Sequence, residues 1–358
     1  MRSVARVTVL ANMAVVLVGL AVVVLLPSGD AGNDRQRVVP ATRPSPTPSE
    51  ASAAGNPAAI AAAAKKVKAN EAGMIPVIMY HRLLRRRIAS IDRTPAQLRA
   101  ELARLAREHY VPITAAEFVS GKFSVPAGTH PVVLTFDDGH PSHFALDAHG
   151  RPKKDTAVEI IEETAARFPG FRPVATFWVN GTPFGIRDPA KQKEAVKWLV
   201  GHGFEVANHT YSHPDLHTLK PRDVEKQIVR EKRLLGRLGA PESTTFALPY
   251  GSSPKKSGLA HKGSWDGTSY RFDGVFLASA KPSVSPYAKA FPRYAIPRVQ
   301  SNGKRTGCPR FCTEYWLNWL DEHPRERYTS DGDPAHVAVP RNLKSKIATS
   351  WAKAVIAY

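Results

Sequence analysis

Short apolar runs recur along the chain, and longer segments with helical spacing of their apolar residues separate them. The runs are short enough to cross a core as buried strands, and they lie at residues 77–80, 132–136, 174–179, 204–207, 244–248 and 274–278. The helical patterns lie at residues 94–107, 156–167, 191–202 and 223–238. Strands that alternate with helices predict an α/β fold with a parallel sheet or barrel.

The N-terminal part of the chain has a different pattern. Arg2 and Arg6 precede residues 7–26, which carry no charged side chain. A run of about 20 apolar residues is long enough to span a bilayer, and the best cleavage site for a signal peptidase, at residues 29–31, is weak. We expect residues 1–27 to form a signal-anchor transmembrane helix, with an uncleaved signal peptide as the alternative.

Residues 28–73 are rich in Pro, Ala, Ser and Thr. This composition predicts a linker whose Pro-rich half is extended and whose Ala-rich half, ending near Lys65 and Lys66, forms a short helix. A tether of this kind lets a following domain reach some distance beyond a membrane.

Two adjacent carboxylates, Asp137 and Asp138, stand where the second apolar run ends, followed by Gly139. Neighbouring side chains at a strand end point to opposite sides, so one carboxylate can bind a metal ion while the other acts as a general base. A solvated Asp-Asp-Gly turn is the alternative.

Two histidines four residues apart, His209 and His213, follow the fourth apolar run. With one carboxylate they can form a His2Asp metal site that leaves coordination positions open. A chance surface pair is the alternative in a chain with 13 histidines. We interpret the remaining close histidines as solvent-facing or locally capping, namely His140, His143, His149, His202 and His217.

The sequence Thr-Phe-Asp-Asp-Gly at residues 135–139, followed by His-Thr-x-x-His at residues 209–213, resembles the first two motifs of the polysaccharide deacetylases, carbohydrate esterase family 4. Residues 246–251, Phe-Ala-Leu-Pro-Tyr-Gly, stand where that family has an Arg-x-Pro-aromatic motif. The resemblance runs from about Met74 to the region of Val299. It implies a distorted (β/α) barrel of the polysaccharide deacetylase type, and we assign residues 74–304 to the catalytic domain.

The resemblance also implies a role for each motif residue. Asp138, His209 and His213 would bind a divalent metal, and Asp137 would be the catalytic base. The backbone N–H of Tyr250 would stabilise the oxyanion, and Pro249 would form part of the groove wall. Two imidazoles and one carboxylate suit Zn(II), which availability favours, but also Co, Ni, Fe or Mn.

The sequence departs from the family at two motifs. Ala247 replaces the arginine that steadies the catalytic aspartate, and Arg298 is our candidate for its role. No Leu-x-His motif lies near the end of the domain. Instead, the strand at residues 75–81 ends in His81 and resembles the branch acting on poly-N-acetylglucosamine, in which this motif is at the front of the domain. His81 would then be the general acid and Met79 would contact the acetyl methyl group, whereas a histidine that only bonds its neighbours is the alternative.

Residues 305–358 are predicted to pack on the catalytic domain as a C-terminal extension. They contain both cysteines of the chain, Cys308 and Cys312. In an extracytoplasmic protein such a pair suggests a disulfide. Half of a metal site is the weaker alternative.

The formal net charge is +19, with basic clusters at residues 85–87 and 153–154. Such a surface favours acidic partners such as wall polymers, although it can also simply solvate the domain. No nucleic-acid-binding motif is present, so we expect no nucleic-acid partner.

These observations predict a monomeric, metal-dependent hydrolase that removes N-acetyl groups from a glucosamine-containing cell-wall or matrix polysaccharide. The catalytic domain would face the outside of a single-pass membrane anchor, or would be secreted if the N-terminus is cleaved. A non-catalytic carbohydrate-binding wall protein and an O-acetyl esterase are the alternatives.

Overall fold

The computed structural model describes residues 56–303 and 307–358. The predicted membrane anchor and most of the predicted linker lie outside the described residues. Within the described ranges, none of the helices combines the length and the apolar character that crossing a bilayer requires.

Fourteen strands and seven α-helices make up the described chain, with short 3₁₀ helices between them. The strands are β1 Met74–Ile75, β2 Val77–Tyr80, β3 Tyr110–Ile113, β4 His130–Phe136, β5 Thr176–Val179, β6 Glu205–Asn208, β7 Thr245–Ala247, β8 Lys262–Trp265, β9 Thr268–Arg271, β10 Gly274–Phe276, β11 Ser283–Val284, β12 Val299–Gln300, β13 Val337–Val339 and β14 Val355–Ala357. The helices are α1 Pro57–Lys66, α2 Pro95–Arg107, α3 Ala115–Ser120, α4 Ala157–Arg167, α5 Pro189–Gly201, α6 Pro221–Leu238 and α7 Thr313–Glu322.

The main sheet has eight strands and every pairing in it is parallel. Its order is β10-β7-β6-β5-β4-β2-β12, and β3 pairs with the first half of β4. Isolated parallel bridges join Phe276 to Ile296 and Ser279 to Val299. These bridges connect the two ends of the strand order, so the sheet closes into an irregular (β/α) barrel as expected.

The helices begin and end where local chemistry favours it. Thr94 caps α2 in a capping box with Gln97, which satisfies two otherwise unpaired backbone N–H groups. The apolar face of α2 buries Leu98, Leu102 and Leu105 completely. Burying each leucine contributes about 1.5–3 kcal/mol, and the same residues carried the helical pattern in the sequence.

The predicted strands and helices are present, with bounds that shift by a few residues. Of the eight main-sheet strands, β3 and β12 were not predicted, and neither were the strands outside that sheet, β1, β8, β9, β11, β13 and β14. Pro112 interrupts the strand pattern of β3, and β12 has only two residues, too few to show a period. Both are held by pairing with β4 and β2 rather than by local preference.

The segment before Met74 packs on the C-terminal end of the chain. Helix α1, over the Ala-rich run as predicted, buries Ala64 with Ala69 against Ala338 of β13. At the other side, Leu317 of α7 belongs to the main barrel core, and Cys308 and Cys312 form a disulfide. The C-terminal extension therefore packs on the domain, and residues 56–73 share this packing.

Candidate active site

The residues of the aspartate motif and of the histidine motif lie at the carboxyl ends of strands that are close together in the sheet. Asp137 and Asp138 follow β4, His209 follows β6, and β5 lies between these strands. In barrels of parallel strands this end of the sheet carries the functional residues. The fold therefore brings together residues about seventy positions apart in the chain.

Asp138, His209 and His213 form a cluster whose potential ligand atoms all lie within 4.8 Å of one another. Asp138 Oδ1 is 3.5 Å from His209 Nε2 and 3.3 Å from His213 Nε2. His209 Nδ1 lies 2.7 Å from the carbonyl oxygen of Ala247. That oxygen can only accept, so Nδ1 donates to it and Nε2 is the ring nitrogen that faces Asp138.

This arrangement fits a cation. Asp138 Oδ1 is buried without a hydrogen-bond partner among the described residues, and Nε2 of His209 and Nε2 of His213 both face it. Burial lowers the pKa of His213, which favours its neutral, ligating form. A divalent metal bound by this carboxylate and the two imidazoles would supply the missing partner of Asp138 Oδ1.

The backbone around this cluster is held in uncommon conformations. Asp138, His213 and Tyr250 have φ of 75°, 54° and 57°, a region that non-glycine residues rarely adopt and that costs of order 1–3 kcal/mol. Asn180 compensates on one side, because its side-chain amide donates to the carbonyl oxygens of His209 and Thr210 at 2.8 and 2.9 Å. Such strain is typical of functional sites.

Asp137 is buried and paired with Arg298 through two hydrogen bonds of 2.7 Å each. Arg298 is completely buried, donates to the carbonyl oxygen of Leu277 and lies over the ring of Trp178. Burial alone would raise the pKa of Asp137, but Arg298 and His209 outweigh it and hold the pKa below its usual value. The carboxylate is therefore ionised, as a base must be.

His81 lines the same cavity as Asp137 and the three candidate ligands. Burial lowers its pKa, and its Nδ1 is buried without a hydrogen-bond partner among the described residues. The backbone carbonyl of His81 is within hydrogen-bonding distance of Nε2 of His143. His143 is fully buried against Phe136 and Phe177, so the interpretation of His143 as solvent-facing was wrong.

The cavity at this end of the barrel has a volume of about 140 Å³. Met79 lines it, and Tyr250 also lines it, with 69% of its surface exposed and its ring 4.5 Å from that of His213. Pro249 is buried beside it and is not part of the lining. The lining also contains Leu248 of the motif at residues 246–251 and two apolar residues that the motifs did not indicate, Ile91 and Ala278.

Gly251 permits the approach of two segments at this wall. Its φ is 66°, and a Cβ there would lie 2.8 Å from the backbone nitrogen of Ala278. A larger residue would therefore push the segment that carries Tyr250 away from the end of β10. The sequence signal was the glycine that follows Pro249 and Tyr250.

Residues 124–262 match the family model for polysaccharide deacetylases. A chitooligosaccharide deacetylase of Bradyrhizobium sp. (strain ANU 289) is 32% identical over 160 residues, which cover 42% of this chain and 62% of that protein. A peptidoglycan-N-acetylglucosamine deacetylase of Bacillus cereus is 26% identical over 148 residues, 40% of this chain and 45% of that protein. A solved Streptococcus pyogenes deacetylase in complex with acetate is 19% identical, with a TM-score of 0.48 over 63% of this chain and 91% of its own.

The similarity covers the site but not the whole length of these proteins. The chain spans 62% of the first curated relative and 45% of the second. Each of these two relatives is similar to this chain over only part of its own length. The region that matches the family model contains Asp137, Asp138, His209, His213 and Tyr250. Residues 124–262 therefore resemble a polysaccharide deacetylase domain.

Proposed function

We propose that this protein is a metal-dependent hydrolase that removes N-acetyl groups from a glucosamine-containing polysaccharide of the cell wall or matrix. The observation that carries the proposal is the ionised Asp137, held by Arg298 next to the acceptor cluster of Asp138, His209 and His213. The named activities of the chitooligosaccharide and peptidoglycan deacetylases support the choice of substrate class.

Each motif residue of the cavity has a chemical task in this proposal. A divalent cation bound by Asp138, His209 and His213, with Zn(II) favoured, would supply Lewis-acid polarisation and a lower pKa for water. Asp137 accepts the proton of the attacking water, and Arg298 keeps the carboxylate ionised and oriented. The backbone N–H of Tyr250 donates to the developing oxyanion, a contact of a kind that contributes about 3 kcal/mol.

His81 is the proposed general acid, as in the branch of the family with this histidine at the front of the domain. It donates a proton to the leaving nitrogen, which is a poor leaving group unless it is protonated. Met79, in the lining beside it, provides an apolar contact for the acetyl methyl group. An amide substrate requires such an acid more than an ester does, so we favour N-acetyl over O-acetyl groups.

The test measures acetate release from N-acetylglucosamine oligomers and from peptidoglycan by the full-length chain supplied with Zn(II) or Co(II). We expect Asp137→Asn to lower the rate by about 10²–10⁴-fold, the usual contribution of a positioned base. Asp188→Asn, on the exposed start of α5, is the matched control and should leave the rate unchanged. Release from acetylated xylan alone would indicate an esterase, and no release from a metal-loaded, folded protein would indicate a binding protein.

Metal binding is tested separately from turnover. Equilibrium dialysis against Zn(II) should show one bound ion, and His213→Ala should abolish stoichiometric binding. His217→Ala removes a nearby exposed histidine and should retain the ion. Equal metal content in both variants would contradict the proposed ligands.

We also propose that residues 1–27 anchor the protein in the membrane with the deacetylase domain outside the cell. The support is the uncharged run at residues 7–26 after Arg2 and Arg6. Fractionation of cells, followed by protease treatment of intact cells, tests this. A protein in the medium that lacks its N-terminal segment would indicate cleavage and secretion, and protection from the protease would contradict an external domain.

A further inference from the structure

A groove on the outer face of α6 is lined by four basic and two aromatic side chains. The lining consists of Tyr211, Lys226, Arg230, Arg233, Arg237 and Trp265, and the groove volume is about 460 Å³. This volume is within the range of about 300–1,000 Å³ typical of ligand sites. The catalytic cavity shares none of these residues.

The four cations form one stripe along α6. Lys226, Arg230, Arg233 and Arg237 follow one another at intervals of four, three and four residues, the spacing that places side chains on one helix face. Like charges at this spacing repel by a few tenths of a kcal/mol per pair. An anionic ligand along the stripe would remove this repulsion.

Most of this charge is not neutralised within the protein. Arg233 is paired with Asp266 at 2.8 Å. For Lys226, Arg230 and Arg237, no carboxylate oxygen of the described chain lies within 4.0 Å. The stripe therefore presents three positive charges that lack an ion-pair partner within residues 56–303 and 307–358.

The aromatic rings lie among these cations. The guanidinium of Arg230 is 3.7 Å from the ring centre of Tyr211, and Lys226 and Arg233 lie 5.9 and 5.3 Å from that of Trp265. A flat ring offers a surface for the apolar face of a sugar, while the adjacent cations suit its acidic substituents. The large exposed apolar side chains of the described chain, Ile88, Tyr250, Tyr294 and Phe311, lie outside this groove, which disfavours a lipid surface.

Tyr211 connects the groove to the candidate metal loop, because it lies between His209 and His213 in the chain. Its backbone N–H donates to the carbonyl oxygen of Gln227 on α6, and Ser212 N–H donates to the side chain of Gln227. A polymer bound in the groove would therefore be held directly beside the loop that carries both histidines.

We propose that this groove binds an anionic polysaccharide, one whose sugar units carry phosphate or carboxylate groups. The proposal deepens the proposed function by giving the polymer a charge, and it rests on that function only for the link between binding and turnover. Binding itself is measured without catalysis, so the two proposals can fail separately.

The experiment titrates the full-length chain with phosphorylated dextran and with hyaluronate, which separate phosphate from carboxylate as the recognised group, and with a neutral N-acetylglucosamine hexamer. We expect a micromolar or lower dissociation constant for at least one polyanion. The hexamer should bind at least tenfold more weakly than that polyanion. In Lys226→Gln/Arg230→Gln/Arg237→Gln the affinity for the polyanion should fall at least tenfold, with a smaller dependence on salt.

The matched control is Lys153→Gln/Lys154→Gln/Lys193→Gln, which also removes three positive charges, but from exposed positions outside the groove. It should bind the polyanion within twofold of the original protein. The milder Lys226→Gln/Arg237→Gln, which keeps Arg230 on Tyr211, should give an intermediate loss, and its circular dichroism shows whether the fold is intact.

Three results would overturn the proposal: no binding of either polyanion, an equal loss in the control variant, or equal groove-dependent binding of anionic vesicles or DNA. The last result would assign the groove to another class of macromolecule. Retained groove-dependent binding without acetate release from any substrate would count against the proposed function alone.

Discussion

Asp137 and Glu71 are both buried carboxyl groups, 3% exposed each, but they are in opposite states. Asp137 faces a guanidinium, and its pKa is held below the usual value despite burial. Glu71 accepts hydrogen bonds from the hydroxyl of Tyr328 and the backbone N–H of Ala338, and no ion pair to it is present within the described ranges. Burial and nearby Asp331 raise the pKa of Glu71 to about 8.

The difference shows that the partner, rather than burial, decides what a buried carboxyl group can do. A full positive charge keeps Asp137 ionised at the carboxyl end of the barrel, where a base is useful. Neutral donors hold Glu71 in place without ionising it, where the segment after α1 meets the C-terminal part of the chain. The first arrangement keeps a buried carboxylate charged, and the second connects the segment after α1 to the C-terminal part of the chain.

The largest expected effect comes from removing the cation in the first region. Arg298→Met leaves Asp137 as a buried charge without its partner, which should lower the free energy of unfolding by about 3–5 kcal/mol and strongly reduce acetate release. Urea denaturation and the acetate assay measure the two effects. Arg298→Lys keeps the charge but not both hydrogen bonds, so it should recover part of the stability and little of the rate. Unchanged stability in Arg298→Met would show that the ion pair is not what holds Asp137.

The coupling between the two partners should be the next largest effect. In Asp137→Asn/Arg298→Met the buried charge is removed together with its partner, so the loss of stability should be about 2 kcal/mol smaller than the sum of the single losses. The four proteins of this cycle are compared by urea denaturation. Additive losses would mean that the two side chains act independently.

The pH dependence of stability distinguishes the second region. Because the folded-state pKa of Glu71 lies above its ordinary value of 4.5, its stabilising contribution is complete below pH 4.5 and is lost as the pH rises through about 8. Within this window the free energy of unfolding should fall by at most about 1.4 kcal/mol for each unit of rising pH because of Glu71. Glu71→Gln should remove this slope, measured by urea denaturation at several pH values, whereas the exposed control Glu194→Gln should keep it. An unchanged slope in Glu71→Gln would contradict a protonated Glu71.

A third carboxyl group extends the comparison with the smallest effect. Glu231 on α6 is completely buried, and neither carboxylate oxygen has a hydrogen-bond partner among the described residues. Burial raises its pKa well above the usual value. Replacing an unsatisfied polar group by an apolar one of similar size should stabilise the fold, so Glu231→Met should raise the unfolding free energy by about 1 kcal/mol. Thermal denaturation checks this beside the exposed Glu194→Met, and a loss of stability would show that Glu231 has a partner.

The sequence predicted the parts of the fold and site that have a local pattern. Regular apolar spacing predicted the main strands and helices, and the adjacent Asp137 and Asp138 with the paired His209 and His213 predicted the candidate metal cluster. The contact of Arg298 with Asp137 was proposed from the loss of a motif residue, because nothing near Arg298 in the sequence indicates a partner 161 residues away.

The remaining features depend on packing that no local pattern shows. Ile91 reaches the cavity from a loop, and His143 is buried by aromatic rings that come from β4 and β5. The α6 groove needs a helix, the β8–β9 hairpin and the loop after β6 to form together. Strand β12 exists because β2 offers it a pairing edge, not because its two residues favour a strand.

Ala247 shows that the geometry of this site is retained although one residue of the motif is replaced. His209 contacts only the backbone carbonyl oxygen of residue 247. Every amino acid has this oxygen, so the side chain at this position can change as long as a guanidinium reaches Asp137 from elsewhere. Barrel closure brings Arg298, the residue before β12, to that place. A survey that requires the arginine in its usual motif would discard chains of this kind as inactive, whereas a survey of spatial arrangements would retain them.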